Sequence, residues 1–392
     1  MKQPIFYLIL FSICFNINKG SSQNTKTKKV EKPTAVVIPD YKLSLTPEKW
    51  DFQKDKAEFI EYEGKQAIRL NENSGAIFYK DLVFQNGTIE FDVEVSQASP
   101  FPSLYFRQKD NDAEHIYLRT GTVNRKNAFD AIQYASIIRG VNTWDLQHEY
   151  QSAANIKIGE WNHVKLVVSG KQLKVYINNP TEPNLEVPYM EGNISEGKIG
   201  IGTGFPGQSI FANLMVKPNE TEGLSPLPGA DITRHDTRYI RNWQVTSPDT
   251  LPYGRELNGY NLPTADMKWE NINTERRGLV NLSRKFGGHQ GRLYVWLRAK
   301  IKSESAQTQI IKMGFSDEIW VFINQKPVYV DKDSYIMNMR KSPNGRISLD
   351  NCSFPISLIK GDNELLIGVA NDFYGWGIMA RLEHLDGVEI LQ

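Results

Sequence analysis

Cysteine is almost missing from this chain: there are two in 392 residues, and one of them, Cys14, lies inside the apolar run Ile5 to Phe15. Once that run is removed Cys352 is the sole thiol, so no intramolecular disulfide can form and burial alone must hold the fold. Neither sign of charge is in excess. Lys and Arg number 46 against 45 Asp and Glu, a formal net charge of +1, which argues against a phosphate-neutralising surface and so against nucleic acid as a partner. Long apolar runs are lacking too, since Ile5 to Phe15 is too short to span a bilayer and no other segment comes close, so no transmembrane segment is expected. Histidines number six, and His115, His148, His163, His235, His289 and His384 fall at no metal-ligand spacing. Without a Gly-x-Ser-x-Gly elbow, a phosphate loop or a dinucleotide fingerprint, no cofactor is expected. Calcium stays open, because single Asp and Asn ligands from loops leave no readable spacing.

What is present begins with Lys2 ahead of the apolar run and the small residues Gly20, Ser21 and Ser22 after it. This reads as a secretory signal peptide over residues 1–22, giving a secreted or periplasmic protein. A lipoprotein signal would need a small residue before Cys14, where Ile13 stands, which disfavours a lipid anchor. Residues 23–40, with Lys26, Lys28, Lys29 and Lys32 and few apolar groups, read as a disordered spacer. An exported chain without disulfides reads as bacterial, and the sequons at Asn86, Asn193, Asn219, Asn281 and Asn351 would then carry no glycan.

The stretch Gly159 to Asn178 is the most informative. Val164, Leu166, Val167 and Val168, then Leu173, Val175 and Ile177, alternate as on two half-buried strands joined by a Gly-containing turn. Further strands are expected at Gln66 to Leu70, Ala76 to Phe84, Gly87 to Val95, Ser103 to Gln108, His115 to Thr120, Ala131 to Ile138, Lys198 to Gly202 and Ile210 to Val216. Residues 219–237 read as a Pro- and Gly-rich linker. A second set follows at Gly278 to Lys285, Arg292 to Ile301, Gln309 to Phe315, Glu318 to Asn324, Lys326 to Val330, Arg346 to Leu349, Asn363 to Ala370 and Gly377 to His384. The fold class is all-β: two tandem antiparallel β-sandwiches, or jelly rolls, over residues 41–218 and 238–392.

The segment Asn86 to Asp92, the hairpin with Trp161, His163 and Tyr176, and Ile199-Gly200-Ile201 resemble the laminin-G-like, concanavalin A-like jelly rolls, in particular the 3-keto-disaccharide hydrolase group. In that resemblance Gly87 leads an edge strand. Asp317 to Tyr329, Leu358 to Leu366 and Gly375 to Arg381 resemble the galactose-binding-like jelly rolls attached to secreted glycoside hydrolases, with Gln325 where the family's Asn-Gly hairpin turn has Gly, a weaker turn. Such motifs specify fold better than function.

In the hydrolase group one sheet face carries polar residues, and parity can locate it. Tyr105 and Arg107 point opposite Leu104 and Phe106, while His115, Tyr117 and Arg119 share one side of the next strand and Gln133 sits amid the strand after it. Together they make a polar and aromatic floor suited to hydroxyls and a pyranose face, although an exposed antiparallel face is polar in any case. Trp144 would rim it or pack under its loop. Phe373, Tyr374 and Trp376 form an aromatic tip on the second sandwich, with Trp376 suited equally to filling a hole beneath the loop. Glycosidic cleavage needs two carboxyls at fixed separation, and no spacing singles out a pair. Glu90, Asp92 and Glu94 alternate along one strand as on a solvated edge. The expected function is therefore noncatalytic binding of polysaccharide or glycoconjugate. The alternatives are a glycoside or 3-keto-glycoside hydrolase using Asp130 or Glu149, and an extracellular protein-interaction module.

Overall fold

Alternation of apolar and polar residues builds the hairpin and several other strands among the described residues, while central strands such as Glu318–Ile323 are buried on both faces. The computed structural model describes residues 41–391 apart from 73, 97–100, 123–127, 205–206, 289–290 and 336–337. The signal peptide and spacer expected over 1–40 lie outside the described residues. No helix among the described residues is long and apolar enough to cross a membrane.

The hairpin forms as its pattern dictates. Strands Trp161–Ser169 and Gln172–Ile177 pair with Val164 opposite Ile177, Leu166 opposite Val175 and Val168 opposite Leu173. These six are at most 2% exposed, and they form one side of the first core. The hairpin belongs to a seven-stranded sheet in the order Leu185–Val187, Gln172–Ile177, Trp161–Ser169, Gly87–Val95, Ser209–Pro218, Lys65–Leu70, Ala57–Tyr62. Gly87–Val95 is internal, with a partner strand on each side, so it is not the edge strand that the resemblance implies. Its outward carboxylates are also paired rather than merely solvated: Glu90 with Lys217 and Asp92 with Lys65. Across the core lies an eight-stranded sheet whose middle runs Gly75–Tyr79, Lys198–Thr203, Ser103–Lys109, Asp112–Leu118, Ile132–Ile138. Leu104, Phe106, Ile116 and Leu118 point from it into the core.

The second sandwich packs a four-stranded sheet (Leu279–Asn281, Gly377–Leu382, Gln307–Ser316, Cys352–Leu358) on a larger one containing Leu293–Ser303, Gly361–Asn371, Glu318–Ile323 and Lys326–Lys332. All six residues of Glu318–Ile323 are buried. The reason is a third layer: Leu251 and Leu257 cover Trp296, Trp320, Phe322 and Leu366 on the sheet's outer side. That face is consequently sealed, not free.

Three expectations fail locally. The strand expected over Ala76 to Phe84 ends at Tyr79, and Phe84 makes only an isolated bridge to Gly197. The strand expected over Gly278 to Lys285 stops at Asn281, whose side chain accepts the Arg284 N–H and caps a short helix, Leu282–Phe286, ended by Gly287 at φ +78°. Arg346 to Leu349 forms no strand, and the paired segment lies just after it at Cys352–Leu358. The Asn324-Gln325 turn survives without glycine, both residues sitting at positive φ (+50° and +64°). Asn324 is pinned there by Asn363 Oδ1, which accepts from its amide, and by the Glu364 N–H, which donates to it.

Candidate functional site

Antiparallel register lines up the outer-face residues of the eight-stranded sheet. Tyr105 is opposite His115, and Ser103 is opposite Tyr117, which is opposite Gln133. Gly202 pairs with Ser103 beside the Tyr105 ring, and a Cβ at 202 would meet that ring at 2.9 Å. Glycine there lets the phenol lie flat across the neighbouring strand. The outcome is a stacked trio: Tyr105 and His115 with centroids 4.3 Å apart at 6°, and His115 and Tyr117 at 4.9 Å and 27°.

The second sandwich packs over part of this face. The short 3-10 turn Trp144–Leu146 is the wedge, with Leu146 fully buried among Leu279, Ile347 and Met379. Trp144 packs with Tyr117 and Ala135 on one side and Tyr335 and Phe373 on the other. Backbone and charged bonds cross the same seam: Ile347 N–H to Asp145 O at 2.8 Å, Arg277 Nη1 to Glu149 Oε2 at 2.7 Å, and Arg346 Nη2 to Gln133 Oε1 at 2.8 Å. What remains open is a pocket of about 290 Å³ at the seam, with Tyr105, His115, Tyr117 and Arg119 on its floor and Trp144, Tyr335, Phe373 and Tyr374 on its walls. That is near the small end for ligand pockets, about 300–1,000 Å³.

The electrostatics of the floor are unusual. His115 is 4% exposed, and neither imidazole nitrogen has a hydrogen-bond partner. Desolvation holds its pKa down to about 3, so the ring is neutral. Desolvation likewise pushes Tyr105 up to about 12. Arg119 Nη2 donates to Tyr117 Oη (2.8 Å) and to Gln133 Oε1 (2.7 Å). Beneath the wall, Asp145 and Asp317 are both buried. The Ser316 hydroxyl lies within hydrogen-bonding distance of Asp145 Oδ2 (3.3 Å) and Asp317 Oδ1 (3.0 Å). Desolvation raises both carboxyls, Asp317 to about 7, with the neighbouring Asp317 charge adding to the rise at Asp145. Asp317 Oδ2 accepts the Asp372 and Phe373 N–H groups and Asp145 Oδ2 accepts the Gly375 N–H. The pair thus holds the loop that carries Phe373 and Tyr374 into the pocket.

Of the residues expected at a site, the structure brings Tyr105, His115, Tyr117, Arg119, Trp144 and Tyr374 to one pocket. Arg107 does not join them. A bulge between Phe106 and Lys109 puts it at φ +53° and turns the guanidinium to Gln85 O (2.8 Å) and Asn86 Oδ1 (3.0 Å). Gln133 is fully buried behind the floor, where its amide donates to Trp144 O and its oxygen accepts from two arginines. Trp376 is 1% exposed in the second core against Phe286, filling the hole beneath its loop rather than forming a platform. Phe101, Asn142, Thr203 and Tyr335 are among the further lining residues, drawn from distant segments with no shared pattern. No Asp or Glu is among the described lining residues. Asp130 lines none of it, and Glu149 is held by Arg277 at a separate cleft. His163 sits on the other sheet between Asp92 and Glu90. No group of three or more His, Cys, Asp or Glu among the described residues could hold a metal ion.

No curated protein matches the chain. Among solved structures, similar ones include a family 66 carbohydrate-binding module from Bacillus subtilis (15% identity, 43% of this chain and 95% of that one, TM-score 0.33). Others are a glycosidic hydrolase (10% identity, 47% and 99%, TM-score 0.34) and the Caenorhabditis elegans galectin LEC-6 (12% identity, 44% and 99%, TM-score 0.25). Residues 44–217, the first sandwich, match the family described as the 3-keto-alpha-glucoside-1,2-lyase-like domain.

Proposed function

We propose that this is an exported glycan-binding protein whose ligand sits in the seam pocket, over the Tyr105, His115 and Tyr117 rings and against Trp144. One observation carries the reading: three stacked rings, Tyr105, His115 and Tyr117, floor an open pocket walled by Trp144, Tyr335, Phe373 and Tyr374. A sugar suits such a pocket, because its CH faces stack on aromatic rings while its hydroxyls both donate and accept. The family description of the matched domain, which names a glucoside, supports carbohydrate as the ligand class. The same description, being lyase-like, favours catalysis as a second reading. Cleavage by paired carboxyls finds no support in the lining, which holds no described Asp or Glu.

A glycan array read with product analysis tests both. The binding reading expects retention of one glycan class, loss of retention in Tyr117→Ala, and no released sugar. Release of reducing ends or of keto-sugar that stops in His115→Gln would replace it with the enzymatic reading. Retention unchanged in Tyr117→Ala would move the site elsewhere.

A further inference from the structure

The floor of the seam pocket is one stretch of a longer row. Gly200 lies opposite both Phe78 and Tyr105, Tyr105 opposite His115, and His115 opposite Ala135, so these residues line up across five strands of the eight-stranded sheet. Ile199 and Ile201 point into the core, which leaves Gly200 and Gly202 on the outer face. With no side chain at either position, the neighbouring rings spread over that strand. A Cβ at 200 would strike the Phe78 ring, and the Phe78 and Tyr105 centroids are 6.0 Å apart. Both rings are half-buried. From His115 to Phe78 the row covers three strand spacings, about 14 Å. Its two ends differ. Ala135 is fully buried with Trp144 packed on it, and Gln133 on the same strand is fully buried too. The described hydrogen bonds between the two sandwiches start from residues 133–149 and 191–193 of the first, and none of them reaches Gly75–Tyr79 or Lys198–Thr203. One end is therefore walled by the second sandwich, while the other runs out over Tyr105 and Phe78.

We infer that the seam pocket receives one end of a glycan chain, whose following units leave over Tyr105 and Phe78. This rests on the glycan reading above. At about 290 Å³ the pocket has room for about one or two sugar rings and none for a chain passing through. Every pyranose ring offers a CH face, so a row of aromatic rings holds successive units without reading each one. The outward positions along the exit, Ala76, Phe78, Gly200, Gly202, Ser103 and Tyr105, carry no charge, which suits a chain whose polar groups are hydroxyls.

The experiment is calorimetric titration of the full chain with the methyl glucosides and with the linear malto-, laminari- and cello-oligosaccharides from disaccharide to hexasaccharide, a glucoside being what the matched family's description names. In at least one series affinity should rise about tenfold or more from the methyl glucoside to the trisaccharide, the worth of a further ring stacked on an aromatic face, and level off by the hexasaccharide. Phe78→Ala should erase most of that rise. Length-sorted fractions of the same glucan then separate end recognition from binding along the chain, since protein retained per gram should scale with the number of chain ends. The length series and the fractions are read on the unmodified protein, so neither depends on the variant folding. Equal affinity for the methyl glucoside and the longer sugars, a Phe78→Ala loss that is the same for both, or retention per gram independent of chain length overturns the inference and leaves the glycan reading standing. Silence from every sugar overturns both, and a concentration-dependent dimer lost in Phe78→Ala would then assign the face to a second copy of this chain.

Discussion

The His115 imidazole lies parallel to the Tyr105 phenol, 4.3 Å between centroids, while both of its nitrogens go without a partner. A ring that packs like phenylalanine but carries the desolvation cost of two polar atoms makes a stability sacrifice at this position.

His115→Phe should therefore test that cost directly. The apolar ring keeps the stack and removes two orphaned nitrogens, so the melting temperature should hold or rise. The pH dependence gives an independent check. With a folded pKa of about 3 against an ordinary value near 6.5, His115 binds its proton more readily in the unfolded chain. It therefore costs stability as pH falls from about 6.5 toward 3. Thermal melts across that range should show the variant losing less stability on acidification than the parent. An equal loss would mean that the ring is already solvated.

Asp145 and Asp317 work in the opposite direction. Both are buried and raised, Asp317 to about 7, so the folded protein holds protons that the unfolded chain has released above pH 4. Their contribution to stability is present at low pH and drains away as pH rises from about 4 through 7, by at most about 1.4 kcal/mol per pH unit for each proton. Asp317→Asn should flatten that decline, which the difference between variant and parent melts isolates from His115 and other groups. Because Asp317 Oδ2 also accepts the Asp372 and Phe373 N–H groups, the substitution should leave the pocket wall in place at acidic pH. Parallel decline in both proteins would show that the pair does not titrate in this range.

Much of the floor was legible in sequence because a strand's parity is rigid: Tyr105, His115, Tyr117 and Arg119 follow from alternation alone. Arg107 misled for the same reason, since one bulge residue inverts parity and nothing in Phe106-Arg107-Gln108 announces it. The seam was not legible. Alternation marks a face as polar without saying what packs on it, so Tyr335 and Phe101 carried no signal. Nor did the sealed outer face of the second sandwich, where Trp296 and Trp320 lie under Leu251 and Leu257. The helix at Leu282–Phe286 is too short to display a 3.6-residue period, though Asn281 before it and Gly287 after it are ordinary helix start and stop signals that could have found it.

Leu146 should prove the mechanical link between the sandwiches. It belongs to the first sandwich's chain segment yet is fully buried against Leu279, Ile347 and Met379 of the second. Leu146→Ala should cost about 2–5 kcal/mol if the two sandwiches unfold together. If they uncouple, denaturation followed by tryptophan fluorescence should split into two transitions, and glycan affinity should drop because Tyr335, Phe373 and Tyr374 reach the pocket from across this contact. A loss below about 1 kcal/mol with affinity intact would mean the seam is held by its polar bonds instead.

The turn at Asn324-Gln325 offers a gain rather than a loss. Gln325 adopts φ +64°, where the Cβ of an L-residue crowds the backbone at a cost of about 1–2 kcal/mol. Glycine avoids that crowding but gives up more backbone entropy on folding, about 0.5–1 kcal/mol. Gln325→Gly should accordingly stabilise the protein by about 0.5–1 kcal/mol, read as a higher denaturation midpoint with unchanged slope. Affinity should stay the same, since neither turn residue lines the seam pocket. Gln325→Ala is the control: it retains Cβ and so keeps the strain, and it should show no such gain. A matching rise in both variants would trace the effect to the glutamine side chain and not to the backbone.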